Sequence, residues 1–280
     1  MDRLRAWADD EGWNPGDTDR FAFAVADPEG FLVGRVDGEP AACISAVRYG
    51  TGFGFIGFYI ARPEFRGQGY GIQLWRAGMA RLDGRLVGLD GVVEQQDNYR
   101  RSGFRHAWNN ARYEGVPHGV PEGAGTGPAA GGDPGRGVEL VDAAALPFGA
   151  LAAYDRRFFP EPRDAFLAAW LGMPGRTAVA AVRDGRIEGL GVVRPSSAAA
   201  RVGPLYAASP QVAAALLRRL AAHVPGGAVA VDVPDANPAA GALMAELGLV
   251  PTFETARMYT GPAPRLDLAA LYGVTSLELG

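Results

Sequence analysis

Residues 66 to 72 read Arg-Gly-Gln-Gly-Tyr-Gly-Ile, a stretch that places one cationic side chain beside three glycines. Glycine leaves the backbone uncovered, so an anion can approach the peptide N–H groups closely. A helix that begins at this point adds its own unpaired N–H groups and a partial positive charge. The stretch therefore predicts a binding site for a phosphate or a pyrophosphate.

The spacing of these glycines excludes two common nucleotide-binding loops. A nucleoside-triphosphate loop ends in Gly-Lys-Ser or Gly-Lys-Thr, whereas this loop ends in Gly-Ile-Gln. The dinucleotide fingerprint requires Gly-x-Gly-x-x-Gly, whereas the spacing here is Gly-x-Gly-x-Gly. The anion must belong to another kind of ligand.

A strand and a helix are predicted on either side of the loop. Phe53 to Ile60 is apolar, aromatic and free of proline, which indicates a buried strand. Residues 71–82 form a predicted amphipathic helix, because apolar side chains recur there at helical spacing, at Ile72, Trp75, Met79 and Leu82. A further strand, Leu86 to Leu89, separates this unit from a second motif, Tyr99-Arg-Arg-Ser-Gly103-Phe104.

Arg-x-x-Gly-x-Gly between a strand and a helix, followed by Tyr-x-x-x-Gly-Phe, resembles the GNAT superfamily of N-acetyltransferases. The matching motifs cover most of residues 20 to 115. The stretches EGWNPG and TSLELG further resemble a tandem-domain bacterial subgroup with a degenerate C-terminal GNAT-like domain. The resemblance implies an α/β (α+β) fold of two tandem GNAT-like domains, each a mixed, mostly antiparallel sheet flanked by helices.

The resemblance also implies acetyl-CoA as the cosubstrate and assigns residues to it. The thioester and pantetheine are expected on the backbone of Phe58, Tyr59 and Ile60. The pyrophosphate is expected at Arg66, Gly67, Gln68, Gly69, Tyr70, Gly71 and Ile72. Tyr99 is the expected acid that protonates the departing thiolate, and the alternative role for Tyr99 is aromatic packing.

A general base for the acceptor amine is harder to assign. The strand Phe53 to Ile60 contains no carboxylate, although some members of the family carry a glutamate there. Asp90, Glu94 and Asp97 follow the next strand and are the candidates, directly or through water. Each of them is also explained as an ordinary loop or capping residue.

A Gly/Pro-rich segment divides the chain, because Gly115 to Gly137 contains too few apolar residues to fold. We therefore predict an N-terminal acetyl-CoA-binding domain at 1–115, a linker at 116–136 and a degenerate GNAT-like domain at 137–280. Four stretches of the first half have counterparts in the same order in the second half, which indicates an internal duplication.

The two halves differ at their beginnings. The first opens almost directly with a helical stretch, Asp2 to Asp10, whereas the second has an initial strand, Val138 to Val141. Three explanations are open: the first domain lacks this edge strand, the chain start is set too late, or the tail Val274 to Leu279 takes its place.

The second half lacks the glycine loop and has Ser209-Pro-Gln-Val-Ala-Ala-Ala in its place. We therefore expect one acetyl-CoA per chain. The second half is expected to wall off the acceptor side, since clefts between domains often bind ligands. The candidate acceptor-binding residues are Asp232, Asp235, Asn237 and Glu254, whose acidic members suit a cationic amine; the alternative is a purely stabilising role for this half.

Composition limits the other partners and the location. A net charge of −4 over 280 residues argues against a nucleic-acid partner, and no apolar run reaches the length of a membrane span. Three histidines without ligand spacing predict no metal site. Cys43 is the one cysteine, so a reducing cytoplasm is the simplest location. We expect a monomer or a homodimer.

The function expected from these features is transfer of an acetyl group from acetyl-CoA to a primary amine of a small molecule or peptide. The alternative is a catalytically silent acyl-CoA-binding sensor or regulatory protein. That protein would bind the cosubstrate without turnover on any amine. An interaction module with no CoA binding is disfavoured by the intact loop at Arg66.

Overall fold

A computed structural model describes residues 2–120, 135 and 137–280. The predicted linker at 116–136 lies mostly outside these residues. The first half contains, in chain order, α1 (Asp2–Asp10), α2 (Asp19–Ala26), β1 (Phe31–Val36), β2 (Glu39–Tyr49), β3 (Phe53–Ala61), α3 (Tyr70–Arg81), β4 (Leu86–Val92), α4 (Gln96–Arg101) and β5 (Arg105–Gly115). The second half contains β6 (Glu139–Asp142), α5 (Phe148–Asp155), α6 (Asp164–Gly172), β7 (Thr177–Arg183), β8 (Arg186–Arg194), β9 (Ala200–Ala207), α7 (Pro210–Ala221), β10 (Val229–Pro234), α8 (Pro238–Glu246), β11 (Val250–Tyr259) and β12 (Leu271–Gly273).

The two halves repeat one order of elements: two helices, three strands, a helix, a strand, a helix and a final strand. This repeat confirms the predicted tandem α/β fold. The predicted strands at 53–60 and 86–89 are β3 and β4, and the predicted helix at 71–82 is α3.

The strands of both halves belong to one sheet, in the order β1-β2-β3-β4-β11-β5-β10-β9-β8-β7-β6. The last strand of each half is exchanged: β11 pairs with β4, and β5 pairs with β10. The sequence does not predict this exchange. It is sterically possible because β5 and β11 are equivalent strands of a duplicated unit, so each fits the place that the other leaves.

The edges of the sheet exclude one of the three explanations for the start of the first half, namely that the tail takes the place of an edge strand. Among the described residues β1 is one edge strand and β6 is the other. The first half begins with α1, whereas β6 precedes the helices of the second half. Residues 274–279 do not extend the sheet beyond β1, because they follow β12, which pairs with β9 in the interior of the sheet.

Helix α3 packs across β2 and forms one wall of the site. Its inward face buries Leu74 and Trp75. Gly78 allows the helix to approach the strand closely, because a Cβ at this position would lie 3.1 Å from Ile44 Cδ1. This close packing places the N-terminus of α3 beside the end of β3.

Parallel strands separate at corresponding places in the two halves. In the first half, β3 pairs with β4 only from Phe53–Leu86 to Ile56–Leu89, and the strands then diverge. In the second half, β9 pairs with β10 over 200–202 and 229–231. There β12 occupies the opening by pairing with β9 at Tyr206 and Leu205. A cavity of about 320 Å³ lies at the first opening.

No helix among the described ranges is both long and apolar enough to cross a lipid bilayer.

Candidate active site

A cavity of about 320 Å³ lies where β3 and β4 diverge. Phe58, Tyr59, Ile60 and Arg66 of the predicted cosubstrate site line it, together with Tyr99 and Asp90. The wall also contains Glu11 and Trp13 of the stretch EGWNPG and Leu277 and Glu278 of the stretch TSLELG. The sequence assigned no site role to its other members Arg112, Phe253 and Thr255. The cavity therefore extends from Arg66, the first residue of the glycine loop, to the second half, and residues 67–71 lie outside its described wall.

The backbone of β3 is kinked inside this cavity. Phe58 has a φ of 46°, which is unusual for a residue with a side chain. Its carbonyl oxygen accepts a hydrogen bond from Cys43 Sγ at 3.2 Å. Beyond Ile56, the edges of β3 and β4 that face each other have no ladder partner across the opening. Their N–H and C=O groups are available to an extended polar chain inserted between the strands.

Cys43 itself is a structural thiol. It is fully buried, and burial raises its pKa to about 12, so it stays protonated at neutral pH. A protonated thiol is a poor nucleophile.

The glycine loop presents an uncovered helix N-terminus. Gly67 and Gly69 have φ values of 75° and 84°, and nothing lies within 4 Å of a Cβ added to either. Gly69 is the N-cap of α3 and provides no side-chain hydrogen bond. The first N–H groups of α3 are therefore free of a capping side chain, as an anion site requires.

Arg66 is held beside this loop by two contacts. Its Nε donates to the carbonyl oxygen of Ala61 at 2.7 Å, and its Nη2 forms an ion pair with Glu11, just beyond α1. Half of the Arg66 side chain remains exposed. The guanidinium is therefore held between the end of β3 and Glu11 and is still accessible to a ligand.

Tyr99 lies on α4 with its ring against β4. The ring packs on Trp75 at a centroid distance of 5.7 Å and covers Gly91, where an added Cβ would lie 2.1 Å from Tyr99 Cε2. Burial raises the pKa of Tyr99 to about 12, so its phenol keeps the proton at neutral pH. A half-buried, protonated phenol at the cavity wall is a suitable proton donor.

A second, more open cavity of about 670 Å³ adjoins the first and shares Tyr59, Trp75 and Tyr99 with it. It lies between α3 and α4. Ile72, from the predicted pyrophosphate site, and the cationic side chains of Arg76 and Arg101 also line it. The two cavities together can hold a long ligand with anionic groups at the α3 end.

The three candidate bases occupy different environments. Asp90 lines the cavity, but it accepts two hydrogen bonds from Arg257, both 2.6 Å long, and one from Asn110. Glu94 and Asp97 are exposed and do not belong to the described cavity wall. Asp97 forms an exposed ion pair with Arg100. None of these three combines a place in the cavity with a free carboxylate.

The four candidate acceptor residues lie outside the described cavity wall. Asp232 is buried in ion pairs with Arg112 and Arg201. Asn237 donates to the carbonyl oxygens of Ala269 and Leu271, both at 3.1 Å. Asp235 and Glu254 both accept hydrogen bonds from Asn109, through its backbone N–H and its side-chain amide.

Buried ion pairs connect the halves beside the cavity. Asp232 of β10 accepts a hydrogen bond from Arg112 Nε at 2.8 Å, which joins β10 to the exchanged strand β5. Asp19 of α2 forms ion pairs with Arg176 and Arg194 of the second half, both at 2.9 Å. Residues of both halves line the cavity that these ion pairs adjoin at Arg112.

Comparison with known proteins identifies the fold and the enzyme class. The model of the acetyltransferase (GNAT) family matches residues 1–104, and the model of the acetyltransferase (GNAT) domain matches residues 151–273. The chain is 31% identical, over 278 residues, to Holothin acyltransferase of Pseudoalteromonas sp. (strain SANK 73390), covering 99% of this chain and 90% of that protein. The chain belongs to the GNAT superfamily and is a tandem-domain acyltransferase.

Solved structures share the architecture. A putative acetyltransferase from Pyrococcus horikoshii is 20% identical with a TM-score of 0.74, covering 94% of this chain and 84% of that one. A tandem GNAT protein from the clavulanic acid biosynthesis pathway is 16% identical with a TM-score of 0.58, covering 89% of each chain. At these identities the likeness concerns the fold alone.

Proposed function

We propose that this acyltransferase moves an acetyl group from acetyl-CoA to a primary amine of a small molecule. The observation that carries the proposal is the cavity between the diverging strands β3 and β4. An uncapped helix N-terminus lies at one side of it and the half-buried phenol of Tyr99 at another. The chain elements fit an acyl donor that has a long polar arm and a pyrophosphate.

The glycine loop supports the assignment of acetyl-CoA as donor. The pyrophosphate would lie on the backbone from Arg66 to Ile72, where the space beside Gly67 and Gly69 is open. The pantetheine would extend along the unpaired edge of β3 at Phe58, Tyr59 and Ile60. In the second half β12 occupies the corresponding opening, which supports one acetyl-CoA per chain.

Tyr99 is proposed as the acid. When the amine nitrogen bonds to the acyl carbon and the C–S bond breaks, the departing sulfur takes up a proton. A phenol with a pKa of about 12 holds that proton throughout the neutral range. Asp90, Glu94 and Asp97 remain predictions for the base from sequence, but their contacts favour other roles.

The size and chemistry of the cavity favour a small-molecule acceptor over a peptide. Its volume of about 320 Å³ must hold the acyl end of the donor as well as the amine. The acceptor end is apolar and aromatic, with Trp13, Phe253 and Leu277 in its wall. The acceptor-binding residues predicted from sequence lie outside this wall, so they could influence the acceptor only indirectly: Asp232, Asp235, Asn237 and Glu254. A relative that matches nearly the whole chain is named Holothin acyltransferase, so holothin is the first acceptor to test.

We also propose the division of labour predicted from sequence. Residues 1–115 bind acetyl-CoA, residues 116–136 link the halves, and residues 137–280 form a degenerate domain that completes the acceptor side. The exchange of β5 and β11 makes the halves structurally dependent on each other. A cytoplasmic location, and a monomeric or homodimeric state, remain predictions.

Calorimetry with acetyl-CoA, followed by assay of thiol release with holothin and a panel of primary amines, tests the proposal. We expect binding of one equivalent and turnover with at least one amine. Binding without any turnover would favour the sensor. Absence of binding would contradict the assignment of acetyl-CoA.

A further inference from the structure

The last ten residues, 271–280, which we call the tail segment, are buried throughout. Val274 N donates to the carbonyl oxygen of Asp232 at 2.9 Å, after β12 has paired with β9. The tail then reaches the kinked part of β3. A Cβ added to Gly57 would lie 2.1 Å from the carbonyl oxygen of Glu278. Glu278 is therefore fixed beside the acyl end of the cavity, next to Phe58.

One oxygen of the Glu278 side chain is buried without a hydrogen-bond partner in the described part of the chain. The residue is 5% exposed and lines the cavity. Its Oε2 is buried with no hydrogen-bond partner among the described residues. Burying a carboxylate without a partner is costly, so such a group in a cavity indicates a ligand or a reaction.

A second unpartnered group lies in the same wall. Thr255 of β11 is 3% exposed, lines the cavity, and its Oγ1 has no hydrogen-bond partner within the described part of the chain. A hydroxyl and a carboxylate are both acceptors for N–H groups. Two residues of the cavity wall thus each carry a polar atom without a hydrogen-bond partner in the described part of the chain, beside apolar side chains, which is a composition that suits a site for an amine.

The other carboxylates of the cavity are already engaged. Glu11 forms an ion pair with Arg66, and Asp90 forms one with Arg257. Among the described cavity residues, Glu278 is the acid without an ion pair. It is therefore the carboxylate that can accept a proton without first losing a cation.

Charged groups on several elements face Glu278: Asp19 of α2, Arg112 of β5, Arg194 of β8, Arg201 of β9 and Asp232 of β10. Burial raises the pKa of Glu278 above its usual value, and the nearby Arg201 guanidinium opposes that rise. Nε and Nη1 of Arg201 have no hydrogen-bond partner in the described structure, so their charge is incompletely compensated. Burial thus makes this carboxylate more basic than an exposed one.

We propose that Glu278 is the general base and that Thr255 orients the acceptor amine. This inference rests on the proposed function. As the amine nitrogen forms its bond to the acyl carbon, Glu278 accepts the proton that the nitrogen loses. The C–S bond breaks, the sulfur takes a proton from Tyr99, and solvent returns the proton from Glu278 to Tyr99. The products are the amide and the free thiol.

Glu278→Gln in the full chain tests the base, with the acceptor found active for the wild-type protein. We expect kcat to fall about 10²-fold or more, as for removal of a positioned base. In the wild-type protein kcat/KM should fall as the pH drops below the raised pKa of Glu278, and this acid limb should disappear in the variant. Affinity for acetyl-CoA by calorimetry should be unchanged. Glu246→Gln, at an exposed carboxylate on α8, is the matched control and should leave both the rate and the limb intact.

Two further variants separate catalysis from stability. Glu278→Asp should keep the acid limb at a reduced rate, and Thr255→Val should raise the KM of the amine more than it lowers kcat. A Glu278→Gln protein with a lower melting temperature but an intact acid limb would assign Glu278 a structural role and overturn the inference. If Glu278→Gln does not fold, Glu278→Asp becomes the test. Loss of the acid limb of its pH profile would then contradict the proposal. If the wild-type chain binds acetyl-CoA but acetylates no amine, the proposed function fails first.

Discussion

Tyr99 combines two properties that an acid for a departing thiolate needs. It lines the cavity, and its pKa of about 12 keeps the phenol protonated at the pH where amines are acetylated. A raised tyrosine pKa means that the acid form is lost only as pH rises through that value. Titration of Tyr99 should therefore cause no loss of rate in the neutral range.

We predict that Tyr99→Phe lowers kcat about 10²-fold while acetyl-CoA affinity changes little, because the ring packing on Trp75 is retained. Steady-state kinetics and calorimetry measure the two effects. Tyr113→Phe on β5, outside the described cavity wall, is the control. Full activity in Tyr99→Phe would remove this residue from the mechanism.

The glycine loop makes a second prediction for single residues. Gly69→Val should strongly weaken acetyl-CoA binding, because a β-branched side chain covers the backbone that the pyrophosphate needs. Calorimetry measures the loss. Valine at a φ of 84° is also strained, so the control must carry the same strain.

Gly84→Val provides that control. Gly84 has a φ of 76° with nothing within 4 Å of an added Cβ, and it lies in the turn after α3. Both variants should lose comparable stability, but Gly84→Val should bind acetyl-CoA normally. Equal affinity in the two variants would mean that the loop at Gly69 is only a turn.

At the scale of elements, the contact between β3 and the tail segment fixes the position of Glu278 in the wall of the cavity. Ser45 Oγ donates to the carbonyl oxygen of Glu278. A Cβ added to Gly57 would collide with the same oxygen. The Tyr49 hydroxyl donates to the carbonyl oxygen of Leu279 at 3.1 Å. Only a glycine at 57 allows the tail segment this close to β3.

We predict that Gly57→Ala displaces the tail segment and lowers stability by about 1–3 kcal/mol, the usual cost of overpacking. Turnover of the amine should fall more than affinity for acetyl-CoA. Thermal unfolding and kinetics measure these effects. Gly149→Ala on α5, where an added Cβ meets nothing within 4 Å, is the control. Wild-type stability and turnover in Gly57→Ala would contradict the assigned contact.

At the scale of the whole molecule, the exchanged strands and the buried ion pairs join the halves. The Asp232 carboxylate forms ion pairs with both Arg112 and Arg201, and it therefore offsets the positive charge of two buried guanidinium groups. Its pKa is lowered, chiefly by these guanidinium groups acting against the burial penalty. A carboxylate with a lowered pKa stabilises the fold above its unfolded pKa, and this contribution is lost as pH falls through the folded pKa.

We predict that Asp232→Asn destabilises the protein by about 3–5 kcal/mol at neutral pH, because it leaves buried guanidinium charge unpaired. The difference from the wild-type protein should persist down to about pH 4 and shrink below it. Chemical unfolding at several pH values measures it. Asp164→Asn removes the exposed ion pair with Arg156 and should change stability by about 1 kcal/mol or less. Similar losses in the two variants would contradict the role given to Asp232.

Local patterns in the sequence determined the elements and one side of the site. Apolar periodicity located α3, and the uninterrupted apolar run located β3. The glycines and Arg66 indicated an anion site, because backbone exposure and a helix N-terminus are properties of consecutive residues. The internal repeat predicted the tandem halves for the same reason. These features depend on neighbours along the chain, so they are readable without the fold.

Tertiary structure alone decided the acceptor side. The sequence placed acidic candidates near the ends of β4 and β10, but Asp90 and Asp232 are held by arginines from distant strands. It gave no signal that β5 and β11 are exchanged, since equivalent strands of a duplicated unit have similar patterns. Glu278 reaches the cavity only because the tail segment crosses Gly57, more than two hundred residues earlier in the chain. Which carboxylate stays free depends on such long-range pairing of charges, and spacing along a sequence does not encode it.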